Sequence, residues 1–230
     1  MTKGYIFDYG GTLDTGGCHW GKMLWHAYQR VGVPVTEAQF REAYVFVERL
    51  LARMSIVKPD TTFKQLLSMK IQLELTSMAT KGVIKQGYIN SWQFPMLDDL
   101  YALTQAHTAH SREVLLQLKE CCPLVLVSNF YGNIETVLRE FRLDGIFSHV
   151  VESAVVGVRK PNPQIFTLGV EALGLRPEEV TVVGDSIDKD IIPARKAGCQ
   201  TVWIRGEQWT DDPVDETQAD RVIDDLKELI

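Results

Sequence analysis

No stretch of this 230-residue chain approaches eighteen consecutive apolar residues, so the sequence offers nothing that would span a bilayer as a helix. The opening MTKGYIFDYGGT reaches an aspartate and a glycine pair after a few apolar positions, too soon for a secretory leader. Cysteine is scarce, four in all, and Cys18, Cys121, Cys122 and Cys199 form no CxxC pair of the kind that binds zinc or exchanges disulfides. They read as reduced thiols of a cytoplasmic protein, with Cys121 and Cys122 packing as small hydrophobes. Basic residues form no run or stripe, and the net charge is −6, which argues against nucleic acid or an anionic membrane as partner. There is no internal repeat and no low-complexity tract.

What the chain does contain is an alternation. Gly4–Asp8 is a short apolar run ending in a carboxylate and followed by Gly10–Gly11, the pattern of a buried strand and a tight turn. Similar runs recur at Leu124–Val127, around Val150–Val151, at Val180–Val183 and at Thr201–Ile204. Helical periodicity over Arg112–Glu120, Ile134–Phe141, Pro163–Leu173 and Ile187–Ala197 fills the gaps, with Gly174 and Gly198 placed as helix terminators. This predicts an α/β fold with a doubly wound, Rossmann-like parallel sheet.

Residues 20–103 differ. Trp20–Val31, Thr36–Leu51, Thr61–Leu75 and roughly Gly82–Leu103 carry helical spacing with no strand-like run among them, and Thr36 with Gln39 makes a capping box. The expected division is an α/β core of residues 1–16 and 106–230, interrupted by an α-helical cap of residues 17–105. The linker is expected to carry His107 and His110 as solvated side chains, and Asp211–Glu216 reads as a solvated loop.

Ligands of doubly wound sheets bind outside the carboxyl ends of the strands. Asp8 closes the first strand, Ser128–Asn129 the second and Asp185–Ser186 the fourth, and Lys160–Pro161 follows the third. Acids, a hydroxyl and a lysine far apart in the chain thus converge on one rim.

FDYGGTLD at 7–14, VSN at 127–129, RKPNPQIF at 159–166 and VVGDSIDKDIIPARKAG at 182–198 together resemble the motifs of the haloacid dehalogenase superfamily, in its helical-cap subgroup. The resemblance implies a Mg²⁺-dependent, phosphatase-like hydrolase acting on a small phosphorylated metabolite, with Asp8 as the nucleophile that becomes an aspartyl-phosphate. It implies a metal held by Asp8, Asp185 and the Gly10 backbone carbonyl, supported from behind by Asp190. Lys160 would neutralise the developing charge, and Gly11, Thr12, Ser128 and Asn129 would bind the phosphoryl group.

Gly10 departs from the pattern, because most phosphatases of the family have a second aspartate there that donates and then accepts a proton. Its loss costs about a hundredfold to ten-thousandfold in rate if nothing replaces it. Asp14, His19 or a cap residue are the replacements at hand, and a leaving group stable as an anion needs none. Alternatives are a non-catalytic homologue that binds a phosphorylated ligand or partner, and a phosphonatase-type C–P hydrolase using Lys22, Lys58, Lys64 or Lys70. A haloacid dehalogenase proper is excluded because its last motif resembles SSN, where this chain has GDS.

Overall fold

The computed structural model describes residues 2–54 and 56–230. Six short runs pair as one parallel sheet: β1 (Gly4–Phe7), β2 (Leu124–Ser128), β3 (His149–Glu152), β4 (Val180–Gly184), β5 (Gln200–Ile204) and β6 (Arg221–Ile223). Their order is β3-β2-β1-β4-β5-β6, a doubly wound arrangement that reverses direction between β1 and β4. β2 and β4 are buried at every position, as strands covered on both faces must be. In register, Phe7 lies between Leu126 and Val183, so the residues just beyond it emerge at the centre of one sheet edge.

The sixth strand was not expected from the sequence. Its three residues sit among charges and carry too little apolar pattern to stand out, and only pairing with Val202–Ile204 defines it.

Between β1 and β2 the chain is helical: α1 (Trp20–Val31), α2 (Glu37–Arg53), α3 (Phe63–Thr80) and α4 (Ile89–Cys121), with one 3₁₀ turn at Gln86–Tyr88. The Thr36–Gln39 capping box forms in both directions, and Thr62–Gln65 makes a second one at the start of α3. A correction concerns the expected linker near residue 106. α4 runs unbroken for 33 residues, through the helix expected to end near Leu103 and the one expected to begin at Arg112. The polar segment between them reads as a loop, yet Thr104 and Thr108 return their hydroxyls to the carbonyls of Leu100 and Thr104, 2.9 and 2.8 Å away. His110 accordingly lies on the helix and meets Asp225 at 2.7 Å.

After β2 come α5 (Ile134–Glu140), α6 (Ser153–Val156), α7 (Gln164–Leu173) and a π-helical turn at Ile187–Ile191 that runs into α8 (Ile192–Lys196). One apolar core joins the sheet to α1–α5, and a second lies beneath α7 and α8. Cys121, the last residue of α4, is exposed, contrary to expectation, while Cys122, where the backbone has turned extended, is half-buried. Among the described residues no helix is long and apolar enough to cross a membrane.

Glu74 is an exception to the apolar interior of the helical block. It is fully buried on α3, accepts a bond from the Tyr28 hydroxyl at 3.1 Å, and leaves Oε1 without a hydrogen-bond partner. Burial pushes its carboxyl up to about 8. Between the ordinary value of 4.5 and about 8 the folded chain holds the proton that the unfolded chain has lost. Stability should therefore fall as pH rises through that window, at a slope approaching about 1.4 kcal/mol per pH unit. Glu74→Gln should flatten the dependence, which urea melts of both proteins between pH 5 and 9 would show.

Candidate active site

The loop after β1 builds the site. Asp8 continues the strand, its amide bonding the Val183 carbonyl at 3.0 Å. The chain then turns through Gly10 and Gly11. Gly11 has φ +101°, and a Cβ there would collide with the Asp185 carboxylate, so only glycine lets this turn lie against the end of β4.

Asp8, Asp185 and Asp190 are buried, and one carboxylate oxygen from each lies within 4.8 Å of the others. The ammonium of Lys160 sits among them, 2.5 Å from Asp8 and 2.6 Å from Asp190. Burial, then Asp190 and Asp8, raises the Asp185 carboxyl well above its ordinary range. Asp190 is pushed up to about 6 by burial, against the lowering pull of Lys160. Burial works against the Lys160 charge, but Asp190 and Asp8 outweigh it and raise that group. Three carboxyl groups share one ammonium, and the upward shifts of Asp185 and Asp190 show that their full ionisation lacks compensating charge, which a further cation would supply.

Other side chains hold this cluster in place. Thr12 donates its hydroxyl to Asp185 at 3.1 Å, and the indole of Trp203 donates to the Asp185 carbonyl at 2.7 Å. Asn129 spans the Lys160 peptide, donating to its carbonyl at 3.1 Å and accepting from its amide at 2.9 Å. Ser186 caps the π-helical turn by accepting from the Lys189 amide, which leaves Asp190 free to face Lys160 while also accepting from the Ser186 amide at 3.1 Å. Ser128 is buried at the end of β2 and lines the same cavity.

Two groups read from the sequence as phosphoryl binders are thus engaged with the protein itself: the Gly11 amide donates to Asp14 at 2.8 Å, and Asn129 serves Lys160. The Thr12 hydroxyl serves Asp185, whereas the phosphoryl contact expected of Thr12 is through its backbone amide. Ser128 keeps its position toward the cavity. Of the two candidate proton carriers, Asp14 accepts from Gly11 on one oxygen and from the Trp20 indole, at 2.9 Å, on the other. Burial pushes Asp14 up to about 7. His19 accepts from the Gly21 amide at 3.0 Å, and burial pushes its imidazole down to about 4, so it is neutral near pH 7.

A cavity of about 760 Å³ opens over these groups. Its far wall comes from α2 and α3, and of the two α3 lysines named from the sequence, Lys64 and Lys70, it is Lys70 that lines it. Glu48 pairs with Lys70 at 2.6 Å and accepts from the hydroxyl of Tyr131, in the loop after β2, at 2.8 Å. Lys70 is raised despite burial, chiefly by Glu48, and is a firm ammonium. Trp209, from the loop after β5, lines the cavity as well. Its only sequence signal was an isolated indole beside a run of acids. That run is solvated as expected, and from its edge the exposed Asp211 reaches Lys22 at 3.1 Å.

A divalent cation that enters the aspartate cluster should stabilise the fold by mass action, by about 2.7 kcal/mol at a hundred times its dissociation constant. Thermal melts with and without millimolar Mg²⁺ are expected to show a rise in Tm, and Asp185→Asn should lose most of it.

The model for haloacid dehalogenase-like hydrolases matches residues 2–198. A glyceraldehyde 3-phosphate phosphatase of Pyrococcus furiosus is 34% identical over 124 residues, 52% of this chain and 51% of that protein. A phosphoserine phosphatase of Thermus thermophilus is 40% identical over 83 residues, 36% of this chain and 32% of that protein. The chain therefore spans about half, or less, of the length of these relatives. In structure, a HAD phosphatase of Thermococcus onnurineus aligns over 99% of this chain and 96% of its own with a TM-score of 0.55 at 20% identity, a likeness of fold. With the motif residues gathered at the reversal point of the sheet and the family model covering most of the sequence, this chain belongs to the haloacid dehalogenase-like hydrolases.

Proposed function

We propose that this protein is a Mg²⁺-dependent phosphatase-like hydrolase that transfers the phosphoryl group of a small phosphorylated molecule to Asp8 and then to water. The observation that carries this reading is the buried group of Asp8, Asp185 and Asp190 around Lys160 at the sheet's reversal point. The relatives' names, phosphatases of glyceraldehyde 3-phosphate and phosphoserine, support the substrate class.

The donor set fits Mg²⁺, which takes hard oxygen ligands and uses few carboxylates. Asp8 and Asp185 would hold it with the Gly10 carbonyl, and Asp190 would stand behind or beside them. When bound, the ion supplies positive charge that lets two anions approach. The protein's own groups do the rest. One oxygen of Asp8 attacks phosphorus as the bond to the leaving oxygen breaks, while Lys160 holds the other charge of the site in check. Ser128 donates to a phosphoryl oxygen. Asn129 and Thr12 act as positioning residues through Lys160 and Asp185. The helical block of residues 17–105 would serve as a cap over residues 1–16 and 106–230, with α4 carrying the chain across the division, and would screen the reaction from water.

The phosphonatase alternative needs an uncharged amine. Lys70 is the candidate lysine that lines the cavity, and its pairing with Glu48 weighs against that role. Gly10 favours a different second reading, a homologue that binds a phosphorylated ligand without turnover, since glycine carries no proton. The backbone there has room for more: a Cβ at Gly10 would meet nothing nearer than Trp20 Cδ1 at 3.9 Å.

Acid quenching during turnover should trap a phosphoryl group on Asp8, seen by mass spectrometry, and Asp8→Asn should abolish both the adduct and phosphate release. Binding of Mg²⁺ and phosphate with no adduct and no release would support the binding-only reading. Gly10→Asp is expected to raise kcat on an alkyl phosphate such as glycerol 3-phosphate by about a hundredfold.

A further inference from the structure

The cavity that holds Asp8 is lined by aromatic rings from five separate parts of the chain. Trp20 comes from the start of α1, Tyr44 from α2, Phe63 from the start of α3, Phe130 and Tyr131 from the loop after β2, and Trp209 from the loop after β5. A volume of about 760 Å³ lies in the upper range of ligand pockets, and a small aliphatic phosphate would leave most of it to water.

The rings are fixed in place. Trp209 packs 4.9 Å from Tyr44 and 5.3 Å from His19, and the Arg41 guanidinium covers it at 4.1 Å. Its loop is pinned to the helical block by Lys22, which is almost fully buried, 3.1 Å from Asp211 and 3.7 Å from Glu207. Gly21 lacks the side chain that would collide with the indole, so the tryptophan lies flush against α1. Trp20 is held by its bond to Asp14. A wall of aromatic faces that is already ordered loses little entropy when a flat ligand stacks on it.

A second, independent observation concerns the leaving group. Gly10 offers no proton, and both oxygens of Asp14 already accept N–H bonds. His19 accepts the Gly21 amide at Nδ1 and is a neutral imidazole, whose remaining N–H is too weak an acid to protonate a leaving oxygen. A leaving oxygen at this site is therefore best expelled as a stable anion. Phenolates do so readily and alkoxides do not.

We infer that the substrate is an aryl phosphate, a phosphomonoester whose oxygen is attached directly to an aromatic ring that stacks among Trp20, Tyr44, Tyr131 and Trp209. This rests on the phosphatase reading and names its substrate class. In the first step the Asp8 oxygen–phosphorus bond forms as the phosphorus–phenolic oxygen bond breaks, and the phenolate leaves with the electron pair. In the second, water adds its oxygen to phosphorus and the bond to Asp8 breaks. The two protons of that water go to the phosphate and the phenolate. With no base at Gly10 the second step is the slower, so kcat/KM reports the leaving group and kcat does not.

Two measurements separate the ring from the chemistry. Calorimetric titration of the Mg²⁺-loaded protein with phenylphosphonate and propylphosphonate, neither of which can be hydrolysed, should show the aryl ligand binding about tenfold more tightly. Trp209→Leu, checked for folding by circular dichroism, should bring the two within about threefold. Phenyl phosphate should exceed benzyl phosphate, which has the ring but an alkoxide leaving group, by about a hundredfold in kcat/KM. Equal binding of the two phosphonates by the unaltered protein would overturn the inference even if phosphate is released from both esters. Equal turnover of phenyl and benzyl phosphate would overturn its leaving-group half. Release of phosphate from no ester, with the binding preference intact, would instead remove the phosphatase reading and leave the aromatic ligand class standing.

Discussion

One ammonium between carboxylates sets the conditions for everything else in this molecule. Lys160 is almost fully buried, within hydrogen-bonding distance of Asp8 and Asp190, and Asp185 stands close by without a lysine of its own. Removing one partner of such a buried pair typically costs about 3–5 kcal/mol, because the charge left behind is stranded. The surrounding hydrogen bonds follow from that. Asn129 grips both sides of the Lys160 peptide, Thr12 and Trp203 hold Asp185 from two directions, and the Ser186 amide steadies Asp190. The arrangement is rigid in its protein partners and still short of positive charge, which is what a site for a divalent ion and a phosphoryl group requires.

The sequence made the sheet and the charged cluster legible because their signals are local. Asp8 ends an apolar run, Asp185 ends another, and strand-end acids in a doubly wound sheet have few places to go. What it concealed depends on distance. β6 exists through pairing with β5, and α4 is continuous because buried threonines bond back along the helix in a segment whose composition suggests a loop. Asn129 and the Gly11 amide stand where phosphoryl binders would, but their partners are Lys160 and Asp14, which spacing alone does not reveal. Trp209 and Glu48 were invisible for the same reason. Each matters through a residue from another part of the chain, Tyr44 in one case and Tyr131 in the other.

Gly10 and the aromatic wall bear on one question from opposite sides. Gly10 places no proton carrier in the cavity, and the rings add apolar surface to the same space, Trp20 Cδ1 standing 3.9 Å from where a Gly10 Cβ would be. Arg49, Arg53, Arg159 and Lys189 also line this space, in a chain with net charge −6. The cavity is thus more basic than the protein as a whole, which favours entry of an anion whatever its organic part.

The position of β1 has a consequence for biosynthesis. Its neighbours in the sheet are β2 and β4, and Phe7 finds Leu126 and Val183 only after most of the chain has been made. A ribosome delivers the N-terminal strand first and its flanks much later. Until then GYIF has no sheet to join, and contacts so remote in sequence are slow to form. The nascent chain therefore carries Asp8 long before Lys160 and Asp185 have been made, and the buried charge cluster comes into being only once both have emerged.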